Sequence, residues 1–290
     1  MNIFKKLIGN ILKLLPDKLF LKIIFYLKMW KNLDLSNPKT YSEKLQWLKL
    51  YDRKPIYTKM VDKYEAKKYV SDIIWEEYII PTLWVYNNFD EIDFNKLPDQ
   101  FVLKTTNDSW GVLICKDKKN FNIEEGKKKL NASLNANYYK WLRERPYKNI
   151  KPRLIIEPYL EDPIIKELRD YKFFVFNWKC KIMFIASNRQ WKWETYFDFF
   201  DMDFKHLDII NWHPNAPICP KKPKNFEQMI DLAEILWKNL IHVRVDFYEV
   251  NKKIYFWELT FFHWSGIMPF EPEYWDRKLG DWIKLPTKKK

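Results

Sequence analysis

The sequence predicts an α+β fold built as two lobes, and three observations carry that expectation. With 290 residues, 47% of them hydrophobic, the chain is long enough for two packed units with a real core. Its apolar residues recur at helical spacing in some stretches and form short β-like runs in others, and the two kinds alternate along the chain. The β-like runs come mostly as neighbours across short loops, as antiparallel hairpins do.

The elements follow in order. Residues 1–32 hold seven lysines against one acid, Asp17. The apolar stretch from Leu19 to Trp30 is broken by Lys22 and Lys28, which makes it too short and too charged to span a bilayer. No small-residue cleavage site marks it as a signal peptide. It reads as a basic amphipathic segment that either lies on a membrane surface or packs its apolar face on the body of the protein. Thr40-Tyr-Ser-Glu43 has capping-box form, and Leu45, Leu48 and Tyr51 continue at helical spacing until Pro55. A second helix is predicted over residues 58–70. Strands are predicted over 78–83, 100–104 and 112–115, the last two flanking the loop Thr105–Gly111. Residues 123–142 read as one helix. Residues 154–160 form a compact strand whose pairing ends at Pro158. A hairpin is predicted from 171–176 and 181–186, a helix over 225–239, and strands over 241–248 and 254–261.

Composition narrows the function. The net charge of +13 is mostly lysine, since arginine occurs eight times. Lysine makes a diffuse solvated field rather than the forks of base readout, so the charge favours an acidic substrate, glycan or membrane face and not nucleic acid. Cys115, Cys180 and Cys219 are far apart and odd in number, which encodes neither a disulfide framework nor a zinc knuckle and suits a reducing cytoplasm. Five glycines leave no GxGxxG and no GxxxxGK[ST], so any nucleotide is held without a glycine-rich device of either kind.

The last two strands are the most informative. In residues 241–248 the even positions are His242, Arg244, Asp246 and Tyr248, while the odd ones are Ile, Val, Val and Phe. Glu258 and Thr260 share one face of the following strand. A three-residue turn at 251–253 would set Asp246 opposite Glu258 and Arg244 opposite Thr260. Cross-strand Cβ atoms lie roughly 4.5–5.5 Å apart, close enough for two carboxylates to share Mg2+. The plainer reading is an exposed face with an Arg–Asp pair. The chain carries no Ser-His-Asp or Cys-His signature; His206, His213 and His242 read as bland and His263 as the histidine to watch.

Seven stretches occur in the order found in the TupA-like (teichuronopeptide-biosynthesis) branch of the ATP-grasp superfamily, which residues 35–285 resemble. They are Asn37-Pro-Lys-Thr-Tyr-Ser-Glu-Lys-Leu-Gln-Trp-Leu-Lys, Asp62-Lys63, Leu97-Pro-Asp-Gln-Phe-Val-Leu-Lys104, Lys151-Pro-Arg-Leu-Ile-Ile-Glu157, Asp170-Tyr-Lys-Phe, Val243-Arg-Val-Asp-Phe-Tyr and Glu258-Leu-Thr-Phe-Phe. The resemblance implies a helical basic region over 1–60, a first lobe over 61–160 and a second over 161–285. It implies that Lys104 and Lys63 reach the phosphates of ATP. The loop Thr105–Gly111, with Ser109, would close over them, although Asp108-Ser-Trp110 departs from the glycine-richer family loop. Glu157, Tyr159 and Leu160 would form the hinge that meets adenine, and Asp170 and Lys172 would contact ribose or phosphate. Arg244, with Lys172, would stabilise the transferring phosphate, and Asp246 and Glu258 would hold Mg2+. Thr260, Trp257 and His263-Trp264 depart from the family pattern on the acceptor side.

The implied activity is ATP-dependent amide formation through an acyl phosphate, serving a capsular or other surface polysaccharide. A uronic acid, or another glycan acceptor, and an amino compound would be its partners. The implied setting is the cytoplasm, with peripheral association at the inner membrane surface. Aromatic residues at 191–200 would suit sugar stacking, or simply a core. The alternatives are a glycosyltransferase, for which Asp201-Met-Asp203 is a formal DxD motif, and a non-catalytic protein binding anionic glycan or membrane.

Overall fold

Two antiparallel sheets organise the chain in a computed structural model that describes residues 12–189 and 194–286. The first sheet has the order β1-β4-β2-β3, with β1 Trp84–Tyr86, β2 Phe101–Thr105, β3 Val112–Cys115 and β4 Leu154–Pro158. The second has the order β7-β6-β5-β8-β9, with β5 Asp170–Phe176, β6 Lys179–Ser187, β7 Tyr196–Phe200, β8 His242–Val250 and β9 Lys253–Thr260. All seven residues of β5 are buried, which explains its near-continuous apolar run. Only Asp170 and Lys172 interrupt that run, on the face turned toward the site.

Helices α1 Asp17–Met29, α2 Tyr41–Tyr51, α3 Ile56–Val61, α4 Glu65–Ile74, α7 Phe226–Leu236 and α8 Tyr274–Trp282 share one core with the second sheet. Helix α5 Ile123–Leu134 covers the first sheet over a smaller core that includes Phe101, Leu103, Leu130 and Ile156. The short α6 Tyr138–Leu142 and the 3-10 turn Arg145–Asn149 lead back to β4. The capping box forms as expected: Thr40 Oγ1 accepts from the Glu43 amide while the Glu43 carboxylate accepts from the Thr40 amide.

Three expectations shift, each for a local reason, and one pair of alternatives is decided. The helix expected over 58–70 is two helices, because Asp62 turns its carboxylate onto the amides of Tyr64 and Glu65 and starts α4 afresh. The strand expected over 78–83 is displaced past Pro81 to 84–86. The helix expected over 123–142 breaks at residues 135–137, where the Asn137 side chain accepts from the Lys140 amide and caps α6. Residues 196–200 are a strand in the core rather than a sugar platform, with Phe197, Phe199 and Phe200 buried. Trp191 and Trp193 lie outside the described residues, as do the first eleven residues of the basic N-terminal segment.

The β8–β9 hairpin sets the expected pairs by an unexpected route. Its turn has two residues, not three: Val250 pairs with Lys253, and Asn251 and Lys252 take left-handed φ of 52° and 64°. A bulge between Asp246 and Phe247 then inserts Trp257 as an extra residue in β9. The inserted residue restores the register beyond it, so Asp246 faces Glu258 and Arg244 faces Thr260.

Candidate active site

A cavity of about 710 Å³ opens between the two sheets, within the ~300–1,000 Å³ typical of small-molecule sites. Strand alternation builds its walls. Val102 and Lys104 of β2, Val112 and Ile114 of β3 and Glu157 of β4 face in from the first sheet. Leu103, Cys115 and Ile156 point to the opposite core. Lys172, Arg244, Tyr248, Trp257 and Glu258 face in from the second sheet. The bulge puts Trp257 and Glu258, consecutive residues, on the cavity side together.

Lys104 ends β2 almost wholly buried. Its ammonium is ion-paired with the Glu157 carboxylate and sits 3.7 Å from the centre of the Trp257 ring. Lys67 of α4 bridges the other Glu157 oxygen at 2.6 Å. Burial pulls Lys104 down to about 8, although Glu157 opposes the shift. Burial would raise the Glu157 carboxyl, but Lys104 and Lys67 override it and hold the group below its ordinary value. A buried ammonium aimed into a cavity is a ready anion site.

The second sheet carries a denser network. Arg244 donates from Nε to Asp246 Oδ1 and from Nη2 to Oδ2, both at 2.7 Å. It also donates to Thr260 Oγ1 at 2.9 Å and from Nη1 to His263 Nδ1 at 2.6 Å. That bond makes His263 Nδ1 an acceptor, so Nε2 carries the proton and donates to Asn211 Oδ1 at 2.9 Å. Burial, then the arginine charge, holds the imidazole neutral, well below the usual histidine range. Lys172 on β5 pairs directly across from Asp246 and donates to its Oδ2 at 2.5 Å. Both Asp246 oxygens are therefore taken, and the residue is fully buried. Against its burial, Arg244 and Lys172 keep the Asp246 carboxyl below its ordinary value.

Lys63 and Ser109 line the cavity from the loop side, and Tyr159 and Leu160 line it beyond β4. Together with Lys104, Glu157, Lys172, Arg244 and Glu258, they are the expected site residues that reach the wall. Thr105, Gly111, Asp170 and Asp246 lie one layer behind it. The Asp108 carboxylate accepts from the amides of Trp110 and Gly111 and from the hydroxyls of Thr105 and Ser133. That one acid stands in for the missing glycines by bracing the loop Thr105–Gly111 from inside. A Cβ on Gly111 would lie 2.0 Å from Thr105 Oγ1, so glycine is required there by packing. Lys63 donates to the Asp108 carbonyl and ties α4 to the same loop. Asp170 Oδ2 is held by Arg189, a cavity residue that sequence reasoning missed because it comes from the loop after β6.

The residues fit a magnesium ion through hard oxygen donors. The Glu258 carboxylate lines the cavity and takes no hydrogen bond or ion pair from the described residues, which leaves it open to a cation. Asp246 faces it across the ladder, with both of its oxygens engaged by Arg244 and Lys172. Among the described residues no group of three or more His, Cys, Asp or Glu side chains gathers to hold a metal, so the remaining ligands would be phosphate oxygens and water.

Other expectations resolve by position. Asp201 accepts from the amides of Asp203 and Lys205 in a turn outside the cavity, so the DxD motif is local turn chemistry. His242 is buried between Tyr41 Oη and the Val175 carbonyl. His213, expected to be bland, lines the cavity, as does Glu144, which nothing in the sequence singled out.

Comparison with known proteins places this geometry. The sequence profile of the TupA-like ATP-grasp family matches residues 43–284. No curated protein matches the sequence. Among solved structures, D-alanine-D-alanine ligase from Helicobacter pylori is 17% identical, with a TM-score of 0.46 over 86% of this chain and 70% of that one. L-amino acid ligase from Bacillus licheniformis is 11% identical, with a TM-score of 0.46 over 87% of this chain and 57% of that one. D-alanine--D-alanine ligase from Bacillus anthracis complexed with ATP is 15% identical, with a TM-score of 0.39 over 69% and 53%. The chain thus spans little more than half the length of the last two.

Proposed function

The chain belongs to the TupA-like ATP-grasp family, and from that premise we propose that it is an ATP-dependent carboxylate–amine ligase acting through an acyl phosphate. One observation carries the reading: Lys104, Lys172 and Arg244 converge on one cavity in which Glu258 is an open carboxylate. ATP with Mg2+, used by ATP-grasp ligases, supplies the phosphoryl group and neutralises its charge. Phosphoryl transfer asks the protein mainly for position and charge. Lys104 and Lys63 anchor the phosphates, and Arg244, oriented by Asp246, Thr260 and His263, brings its charge and its remaining Nη1 N–H to the group in transfer. Lys172 and Asp246 balance each other's charge, and Glu258, with Asp246 opposite it, would hold the metal. Val102, Ile114 and Leu160 offer the apolar wall that adenine needs.

The carboxylate we favour is a uronic acid of a surface polysaccharide, with an amino compound as nucleophile and the cytoplasmic membrane face as the setting. The net charge of +13 supports an acidic glycan partner. Helix α1 supports the membrane face. It buries Phe20, Leu21, Phe25 and Met29 but turns Leu19, Tyr26, Leu27 and Trp30 outward beside Lys18 and Lys22. An apolar stripe flanked by lysines matches an anionic lipid surface, where each lysine contributes about 1 kcal/mol. No described helix is long and apolar enough to cross a membrane. The defining experiment offers Mg-ATP and hydroxylamine with panels of uronic acids and amino acids. A sugar hydroxamate with matching ADP release supports the reading. An aminoacyl hydroxamate reverses the two partners, and no hydroxamate from any carboxylate refutes the ligase.

A further inference from the structure

The cavity carries charges of both signs. Cations that include Lys63, Lys104, Lys172 and Arg244 line it together with Glu144, which stands among Tyr138, Tyr147 and Ser265. Glu144 is only 4% exposed, yet no arginine or lysine lies within ion-pair distance among the described residues. Its carboxylate stands beside the Ser265 side chain. Ser265 Oγ in turn accepts from Lys49 Nζ at 2.6 Å, and the Ser265 carbonyl accepts from the same ammonium at 2.8 Å. Lys49 thereby fixes Ser265 beside the acid, which faces the cavity without an ion-pair partner among the described residues.

The backbone is bent where Ser265 meets Lys49. Trp264, Ser265 and Gly266 are all left-handed, with φ of 45°, 56° and 63°. For two side-chain-bearing residues that costs of order 1–3 kcal/mol each, a strain found chiefly at functional sites. Gln46 pins the bend by donating to the carbonyls of Ser265 and Gly266, each at 2.9 Å. The same short segment begins at His263, the Arg244 partner, so one bend fixes a neighbour of Arg244 and a neighbour of Glu144.

We propose, resting on the ligase reading, that Glu144 is a catalytic residue: it receives the nucleophile as an ammonium ion and takes its proton. Aromatic rings beside a carboxylate form an ammonium site, and the Tyr138 and Tyr147 rings pack there with centres 4.8 Å apart and planes tilted by 51°. The step balances. R-NH3+ gives one proton to Glu144, and the freed lone pair forms the C–N bond at the acyl phosphate. The C–O bond to phosphate breaks with its electron pair, and the second amine proton leaves with the phosphate. Burial lifts the Glu144 carboxyl to about 7 while Lys49 opposes the rise and Glu258 adds to it, a value matched to proton exchange near neutrality.

Glu144→Gln tests this, because glutamine keeps the size and shape of the side chain but cannot take a proton. Hydroxylamine is already neutral at pH 7 and needs no base. The variant should therefore keep Mg-ATP-dependent hydroxamate formation within about threefold while amide formation with the best of a panel of amino acids and amino sugars falls about 10²–10⁴-fold. Unchanged amide formation in Glu144→Gln, or an equal fall in both reactions, would overturn the assignment. Hydroxamate without amide from any amine in the wild type would also overturn it, and no hydroxamate at all would remove the ligase reading beneath it.

Discussion

Replacing Glu157 with glutamine perturbs the pair that most constrains the cavity. In the native protein Lys104 shares Glu157 with Lys67, and all three groups are largely removed from water. Breaking a buried pair typically costs about 3–5 kcal/mol because the remaining charge is stranded. Lys104 has an escape, since it can lose its proton. Neutralising a lysine of ordinary value 10.5 at pH 7 costs about 1.4 kcal/mol per pH unit, or about 5 kcal/mol in all, which sets the ceiling. The sign of the pH dependence follows. Folded wild type releases the Lys104 proton near pH 8, and the variant, lacking the carboxylate that opposes burial, releases it lower. Between those values only the wild type still holds the proton when folded, so the variant's deficit shrinks as pH rises. Above about 8 both folded forms are neutral there and the deficit is flat. Urea unfolding from pH 6 to 9 should show a deficit of about 3–5 kcal/mol at pH 7 that narrows by about 1 kcal/mol toward pH 8. A deficit below 1 kcal/mol, or one constant across the range, would refute a buried Lys104 held charged by Glu157.

Three further predictions separate structure from chemistry. Glu258→Gln should lower turnover about 10²–10³-fold with a stability change within about 0.5 kcal/mol, because Glu258 has no hydrogen-bond or ion-pair partner among the described residues to lose; turnover assays and melting curves check both. Asp246→Asn should cost about 3–5 kcal/mol as well as activity, since Arg244 and Lys172 would share a neutral amide, and near-native melting would show that the buried triad is not as described. Lys252→Gly should raise stability by about 0.5–1 kcal/mol in urea, because its left-handed turn position suits glycine.

Much of the fold was legible because its signals are local. The alternation in β8 marked one apolar face and one bearing Arg244 and Asp246, and β2 and β4 carried theirs in the same way. Capping chemistry at Thr40 was visible for the same reason, while at Asp62 and Asn137 it broke helices that periodicity alone had joined. The Asp246–Glu258 register came out as expected although the turn is one residue shorter, because the bulge at Trp257 compensates. What was not legible is long-range. Lys172, expected at phosphate or ribose, neutralises an acid 74 residues away. Lys49 and Ser265, whose contact fixes the serine beside Glu144, are separated by 216 residues, and no motif surrounds the glutamate to announce it. Asp108 replacing loop glycines could be seen as a departure, but its four donors could not.

The central claim is that a carboxylate is activated by phosphorylation before an amine attacks it. Carrying 18O in the substrate carboxylate tests it most directly. An acyl phosphate expels one carboxylate oxygen with the leaving group, so inorganic phosphate recovered after turnover with Mg-ATP should contain one 18O atom. Phosphate free of label, formed in step with the amide, would contradict the account.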